Sequence, residues 1–147
     1  MTRSVLYASD FSPASRRAFQ TALTLASVER AALTVVHVVV PLVPLVPEQY
    51  IEAATWERIN GQARRWGSQQ LARLAAQATK KGVKVTTLLL EGDPAEEVAR
   101  AARSKRADLV VVGTHGRGGL KKWLLGSVAE KIVGTAPCPV VTVRAGK

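Results

Sequence analysis

Apolar and polar positions along this chain repeat with two different periods. Ser4 to Ser9, Leu33 to Val40, Val83 to Leu90, Leu109 to Val112 and Pro139 to Val143 are short apolar runs rich in β-branched residues, and they predict five strands. Between them, apolar residues recur at helical spacing. Pro13 to about Arg30 places Ala18, Phe19, Ala22, Leu23 and Ala26 on one stripe, with Ser12 as N-cap and Pro13 as first helical residue. A long helix is predicted from about Glu48 to Lys81, with Ile51, Trp56, Ile59, Ala63, Trp66, Leu71 and Leu74 as its apolar positions. Gly61 and Gly67 weaken it and Gly82 ends it. Asp93-Pro94-Ala95-Glu96 opens a third helix with an N-cap, a proline at the first position and a glutamate at the third. That helix turns Val98, Ala99 and Ala102 inward and ends before Asp108. Ser127 to Glu130 has the same capping-box pattern, with Ser127 as cap, and opens a fourth helix to about Gly134.

Strands separated by helices need crossover connections, and these are right-handed. The prediction is an α/β fold: a three-layer doubly wound sandwich with a five-stranded parallel sheet and helices on both faces. Ligands bind such sheets beyond the carboxyl ends of the strands, where the strand order reverses. Asp10 follows the first strand, and the loop Gly113 to Gly126 follows the fourth, with a helical turn within Leu120 to Leu125. If those strands are neighbours, their loops face one crevice; the pattern alone leaves the order open. Pro41, Pro44 and Pro47 recur every three residues and prevent both helix and central strand, so this apolar segment reads as an extended loop.

Composition narrows the class. The chain has 147 residues, 47% hydrophobic and 22% charged, which fits one ordinary domain over 1–147. Its single cysteine, Cys138, excludes an internal disulfide framework, agrees with a reducing compartment, and reads as a small buried side chain. Met1 to Ser4 holds one basic residue and the apolar run after it stops at Asp10, too short for a signal peptide; no stretch has the length of a membrane span. The expected location is cytoplasmic, with no membrane partner. Net charge is +10, which favours anionic partners. The basic residues are scattered over predicted helix faces and ends, as on a solvated surface, so nucleic acid is not the favoured partner.

The chemistry concentrates after the fourth strand. Gly113, Gly116, Gly126 and Ser127 form G-x2-G-x9-G-(S/T). Gly113 would let the chain turn off the strand beneath a ribose or phosphate, and Gly116 would let a second amide converge. Gly126 and Ser127 bring in a helix N-terminus, where unsatisfied N–H groups and the helix dipole favour an anion. The Ser127 hydroxyl either binds a phosphate oxygen or caps the helix at the Glu130 amide. Arg117, Lys121 and Lys122 add cations to the loop. His115 is a packing residue or a weak candidate base, and His37 reads as a satisfied core histidine. Asp10 either accepts ribose hydroxyls, holds a metal through water, or caps the helix near Ser12. Neither G-x4-G-K-(S/T) nor G-x-G-x-x-G is present.

These residues resemble the universal stress protein family over nearly the whole chain. The resemblance runs through Val5 to Ser12 with Asp10, His37-Val38, Gly92 to Pro94, Asp108 to Gly118, Leu124 to Glu130 and Ala136 to Val140. The glycine spacing is that family's ATP-binding signature, matched in full. The resemblance implies the strand order 3-2-1-4-5 and ATP, with or without Mg2+, in the crevice between strands one and four. Carried over, Asp10 meets the ribose, the Val38 backbone reads the adenine, and Ala8 and Ser9 line the nucleoside. Val112 and Gly113 lie under the ribose and α-phosphate, while Gly116, Gly126, Ser127 and Val128 hold the phosphates, with His115 and Arg117 in the same loop. Family members commonly form homodimers through the last strand, here Val140 to Val143. Two departures stand out: alanine at position 8, where several members have proline, and the strongly apolar loop Pro41 to Pro47.

Three functions compete. The first is an ATP-binding regulatory protein of the stress response. The second is a slow ATPase, since beyond Asp10, His115 and the loop cations no dedicated base is present. The third is a non-catalytic interaction module that meets anionic partners through its basic surface.

Overall fold

The computed structural model describes residues 1–42, 52–114 and 125–145. Chain order is β1 (Ser4–Ala8), α1 (Pro13–Glu29), β2 (Ala32–Val39), α2 (Ala53–Lys80), β3 (Val85–Glu91), α3 (Pro94–Ser104), β4 (Leu109–Gly113), α4 (Ser127–Thr135) and β5 (Val140–Val143). The strands form one sheet in the order β3-β2-β1-β4-β5, and every neighbouring pair is parallel. The predicted α/β architecture and the strand order implied by the resemblance are therefore both observed.

Alternation along the central strands sorts the core into two layers. Val5, Tyr7, Leu33, Val35 and Val111 pack on one face with Ala18, Phe19, Ala22, Leu23 and Ala26 of α1 and Leu71 and Ala78 of α2. Leu6, Val36, Val110 and Val112 pack on the other with Ala95, Val98 and Ala102 of α3 and Ala129 and Ile132 of α4. β1 and β4 are covered on both faces, which is why they read as unbroken apolar runs rather than as alternating strands. Helix α1 meets the sheet largely through alanines, which lets its axis approach the strands closely.

Helix ends follow their local chemistry. The Ser12 hydroxyl accepts from Ser15 N at 3.3 Å and caps α1; the Asp93 carboxylate accepts from Glu96 N at 3.0 Å and caps α3. Two helix starts differ from expectation. Glu52 is extended and is the N-cap of α2, so the helix begins at Ala53 rather than near Glu48; positions 43–51 lie outside the described residues. Gly126, not Ser127, caps α4: Gly126 is extended and its carbonyl accepts from Glu130 N at 2.9 Å. Ser127 is thus already helical, and its hydroxyl does not serve the Glu130 amide. The predicted helical turn at 120–124 and most of the Pro41–Pro47 loop also fall outside the described residues.

Candidate functional site

β1 pairs with β2 on one side and β4 on the other, so the strand order reverses at β1. Beyond the carboxyl ends of β1 and β4 lies a crevice of about 380 Å³. It gathers Ala8, Ser9 and Asp10 from the exit of β1, Val38 from β2, Val112 and Gly113 from β4, and Gly126, Ser127 and Val128 from the start of α4. Those are nine of the candidate residues named from the sequence. The other three, His115, Gly116 and Arg117, lie outside the described residues, as do Lys121 and Lys122.

The walls are mostly apolar. Val36, Val40, Pro94, Val98 and Ile132 complete them, with Ser15, Thr114 and Ala129. Sequence reasoning missed these. Pro94 and Val98 were legible as the first turns of a helix that follows a strand, but only the strand order brings α3 to the same crevice. The N-terminal turns of α1, α3 and α4 all reach it, through Ser15, Pro94 and Ser127. The first turns of three helices thus border one space.

Two sets of main-chain groups face that space. In β2 the even-numbered residues bond towards β1: Ala32 N donates to Arg3 O at 3.0 Å and Val36 O accepts from Ser9 N at 2.8 Å. The odd-numbered residues bond towards β3, as in Leu33 N to Lys84 O at 2.8 Å and Gly92 N to Val39 O at 3.1 Å. The N–H and C=O of Val38 therefore point to the β1 side, where β1 has already ended. Ser9 O, the next acceptor in the ladder, instead takes the His37 Nδ1–H at 2.8 Å. A carbonyl only accepts, so Nδ1 carries the proton. Among the described residues nothing pairs with the Val38 edge. The second set is the first turn of α4, whose internal bonding starts at Glu130 N, leaving the amides of Ser127, Val128 and Ala129 without helical partners. Gly126 N is not in this set, because it donates to Thr114 O at 2.5 Å and ties the two ends of the glycine loop together.

The β1–α1 turn presents Asp10. One carboxylate oxygen, Oδ1, accepts from Ser12 N at 2.9 Å; the other makes no bond to a described residue, and the side chain is exposed. Asp10 thus braces the turn while Ser12 caps the helix. Phe11 has φ of 62°, a left-handed conformation costing about 1–2 kcal/mol for a bulky residue. Its amide donates to Ser9 Oγ at 3.1 Å and its ring packs on His37 (centroids 4.5 Å apart) and edge-on to Trp66 (5.2 Å). His37 is a half-buried anchor of this turn. Beneath it the Tyr7 hydroxyl lies buried among Ser9, Ser15 and the Ser15 carbonyl; burial pushes the Tyr7 phenol above its ordinary range, against the lowering effect of the serine hydrogen bonds.

Gly113 lines the crevice and also packs on α1. A β-carbon there would stand 2.9 Å from Ala14 C and 3.0 Å from Ser15 N, while no positive φ is involved. Its lack of a side chain admits the close approach of α1. Cys138 is half-buried, and burial raises its thiol above the ordinary range. Among the described residues no group of three or more His, Cys, Asp or Glu could hold a metal ion, and no helix is long and apolar enough to cross a membrane.

The model of the universal stress protein family matches residues 1–144. The chain belongs to that family. It is similar to universal stress protein MJ0531 of Methanocaldococcus jannaschii, 36% identical over 147 residues covering 99% of this chain and 84% of that one. It is also similar to universal stress protein YxiE of Bacillus subtilis, 34% identical over 98% of this chain and all of that one. Among solved structures, hypothetical protein MJ0577 superposes with a TM-score of 0.82 at 23% identity, covering 97% and 96% of the two chains. A universal stress protein in complex with cAMP superposes with 0.72 at 23% identity, covering 99% and 98%. One from Archaeoglobus fulgidus in complex with dAMP gives 0.64 at 20%, covering 97% and 98%. At these identities the superpositions bear on the universal stress protein fold alone.

Proposed function

We propose that this universal stress protein binds adenine nucleotide, ATP foremost, in the crevice between β1 and β4, and that it is a regulatory nucleotide-binding protein of the stress response rather than an enzyme. One observation carries the reading: a crevice at the strand-order reversal collects Gly113, Gly126 and Ser127 of the glycine signature, a main-chain edge at Val38 that pairs with no described residue, and the first turn of α4. An apolar wall with one main-chain donor and acceptor suits a purine base. The amides of Ser127 and Val128 and the Ser127 hydroxyl suit phosphate oxygens, and the Asp10 oxygen that bonds no described residue suits ribose hydroxyls. That two family members were solved with cAMP and dAMP is in keeping with an adenine nucleotide. Mg2+ accompanying the phosphates would be held mainly by phosphate oxygens and water.

β5 lies at one margin of the sheet, with one neighbour in the chain. We extend the reading to a cytoplasmic homodimer paired through Val140–Val143, over a domain spanning 1–147; sedimentation of the purified protein tests the dimer. The nucleotide reading is tested by mass spectrometry of small molecules released from freshly purified protein, with calorimetric titration by ATP, ADP and AMP. Adenine nucleotide in the extract and saturable binding are expected. Absence of both favours an interaction module, and rapid Mg2+-dependent hydrolysis abolished by Asp10→Ala favours an ATPase.

A further inference from the structure

Beneath the turn that carries Asp10, three hydroxyls meet in a triangle: Tyr7 to Ser9 Oγ at 3.0 Å, Tyr7 to Ser15 Oγ at 3.0 Å and Ser15 Oγ to Ser9 Oγ at 3.1 Å. The Tyr7 oxygen lies 2.6 Å from Ser15 O, an atom that only accepts, so the single phenol proton goes there. Ser15 Oγ donates to Ser9 Oγ, and the Tyr7 oxygen lies within hydrogen-bond reach of both serine hydroxyls. Asp10 N–H feeds in at Ser15 Oγ (3.2 Å) and Phe11 N–H at Ser9 Oγ (3.1 Å). The amides of Asp10 and Phe11, the two serine hydroxyls and the Tyr7 hydroxyl thus form one connected network that ends on the Ser15 carbonyl. Buried networks of this kind strengthen each link and make the turn rigid.

The consequence is directional. The circuit draws the amides of Asp10 and Phe11 down into the core, so the turn cannot offer them to a ligand. The Asp10 carboxylate has one oxygen braced by Ser12 N, and Asp10 lines the crevice. Tyr7 is buried, 1% exposed, and is not among the residues that line the crevice.

We propose that the Tyr7 hydroxyl is a positioning residue: it closes the serine circuit that holds Asp10 where its carboxylate meets the ribose hydroxyls of the bound nucleotide. This deepens the nucleotide reading and rests on it. The test compares ATP with 2′,3′-dideoxy-ATP, which lacks both ribose hydroxyls, by calorimetry on the wild-type protein, Tyr7→Phe, Asp10→Ala and the double variant. A hydrogen bond to a carboxylate predicts that the wild type prefers ATP by about tenfold or more. Tyr7→Phe, with its fold checked by circular dichroism, brings that preference to within about threefold of unity, and adds nothing in the Asp10→Ala background. Should Tyr7→Phe not fold, Ser15→Ala removes the oxygen that receives Asp10 N–H and gives the same readout. A wild type that discriminates while Tyr7→Phe weakens both nucleotides equally, or neither, overturns the positioning role alone, since a merely structural residue would not alter the ratio. A wild type that binds both equally overturns the assignment of Asp10 to ribose and this role with it. Failure of the wild type to bind either nucleotide overturns the nucleotide reading itself.

Discussion

Replacing Gly113 by alanine tests whether that glycine belongs to the fold or to the ligand. The new β-carbon would meet Ala14 C at 2.9 Å, Ala14 Cβ at 3.0 Å and Ser15 N at 3.0 Å. Two of those atoms are main chain in the first turn of α1, held by the Ser12 cap and by Arg16 N donating to Ser12 O at 2.9 Å. They cannot swing aside as the tip of a long side chain would, so β4 and α1 must separate. Overpacking of this kind costs about 2 kcal/mol, roughly 4–8 °C in Tm for a chain of this size. The same displacement moves Ser15, and with it the circuit under Asp10, so nucleotide affinity falls together with stability. Differential scanning calorimetry and urea titration measure the first effect. Gly134→Ala is the matched control. Nothing lies within 4 Å of its would-be β-carbon, and it sits in α4, so alanine there adds up to about 0.5–1 kcal/mol through helix propensity. Equal stability of Gly113→Ala and wild type would refute the packing argument and return Gly113 to the ligand.

Other expectations follow from the same geometry. Gly67→Ala puts a β-carbon 2.9 Å from His37 Cδ2 and 3.0 Å from Leu89 Cδ1. Because the His37 ring is tied to Ser9 O and stacked on Phe11, the clash outweighs the helix gain, for a net loss of about 1 kcal/mol by urea titration. Ser127→Ala leaves stability within about 0.5 kcal/mol, since the hydroxyl caps nothing, and weakens ATP binding about three- to tenfold in calorimetric titration. Asp108 accepts from Arg3 N at 2.8 Å and Ser4 N at 3.0 Å, and these main-chain donors hold its carboxyl below the usual carboxylate range. A depressed native pKa stabilises above the unfolded value, and the benefit fades as pH falls through the native one. Asp108→Asn is therefore less stable than wild type above about pH 4, and the gap narrows in more acid solution; a gap that widens on acidification counts against the assignment.

Much of the architecture was legible because one face of each helix and both faces of the central strands are apolar. The stripe Ala18, Phe19, Ala22, Leu23 and Ala26 is wholly buried, and Asp93-Pro94 starts α3 as local capping chemistry dictates. Local rules failed where a partner distant in sequence decides. Ser127 matched the capping box, yet Gly126 caps α4: its extended conformation puts its own carbonyl on Glu130 N, and its amide donates to Thr114 O. Gly113 was assigned to a ligand because glycine in a loop motif suggests close approach. The structure shows α1, far from it in sequence, approaching it as well. Tyr7 read as one more apolar strand residue, and no spacing rule connects its hydroxyl to Ser9 and Ser15. Trp66 was expected in the core of α2 and is 41% exposed, packing against Phe11 at the edge of the β1–α1 turn.

The central claim is that the main chain at Val38 and at the head of α4 receives the two ends of one adenine nucleotide. A crystal structure of the protein grown with ATP tests it most directly. The account predicts the base against Val38 N–H and C=O, a ribose hydroxyl on Asp10, and phosphate oxygens on the amides of Ser127 and Val128. Nucleotide bound elsewhere, or a crevice in which protein groups occupy the Val38 edge while ATP is present, would contradict it.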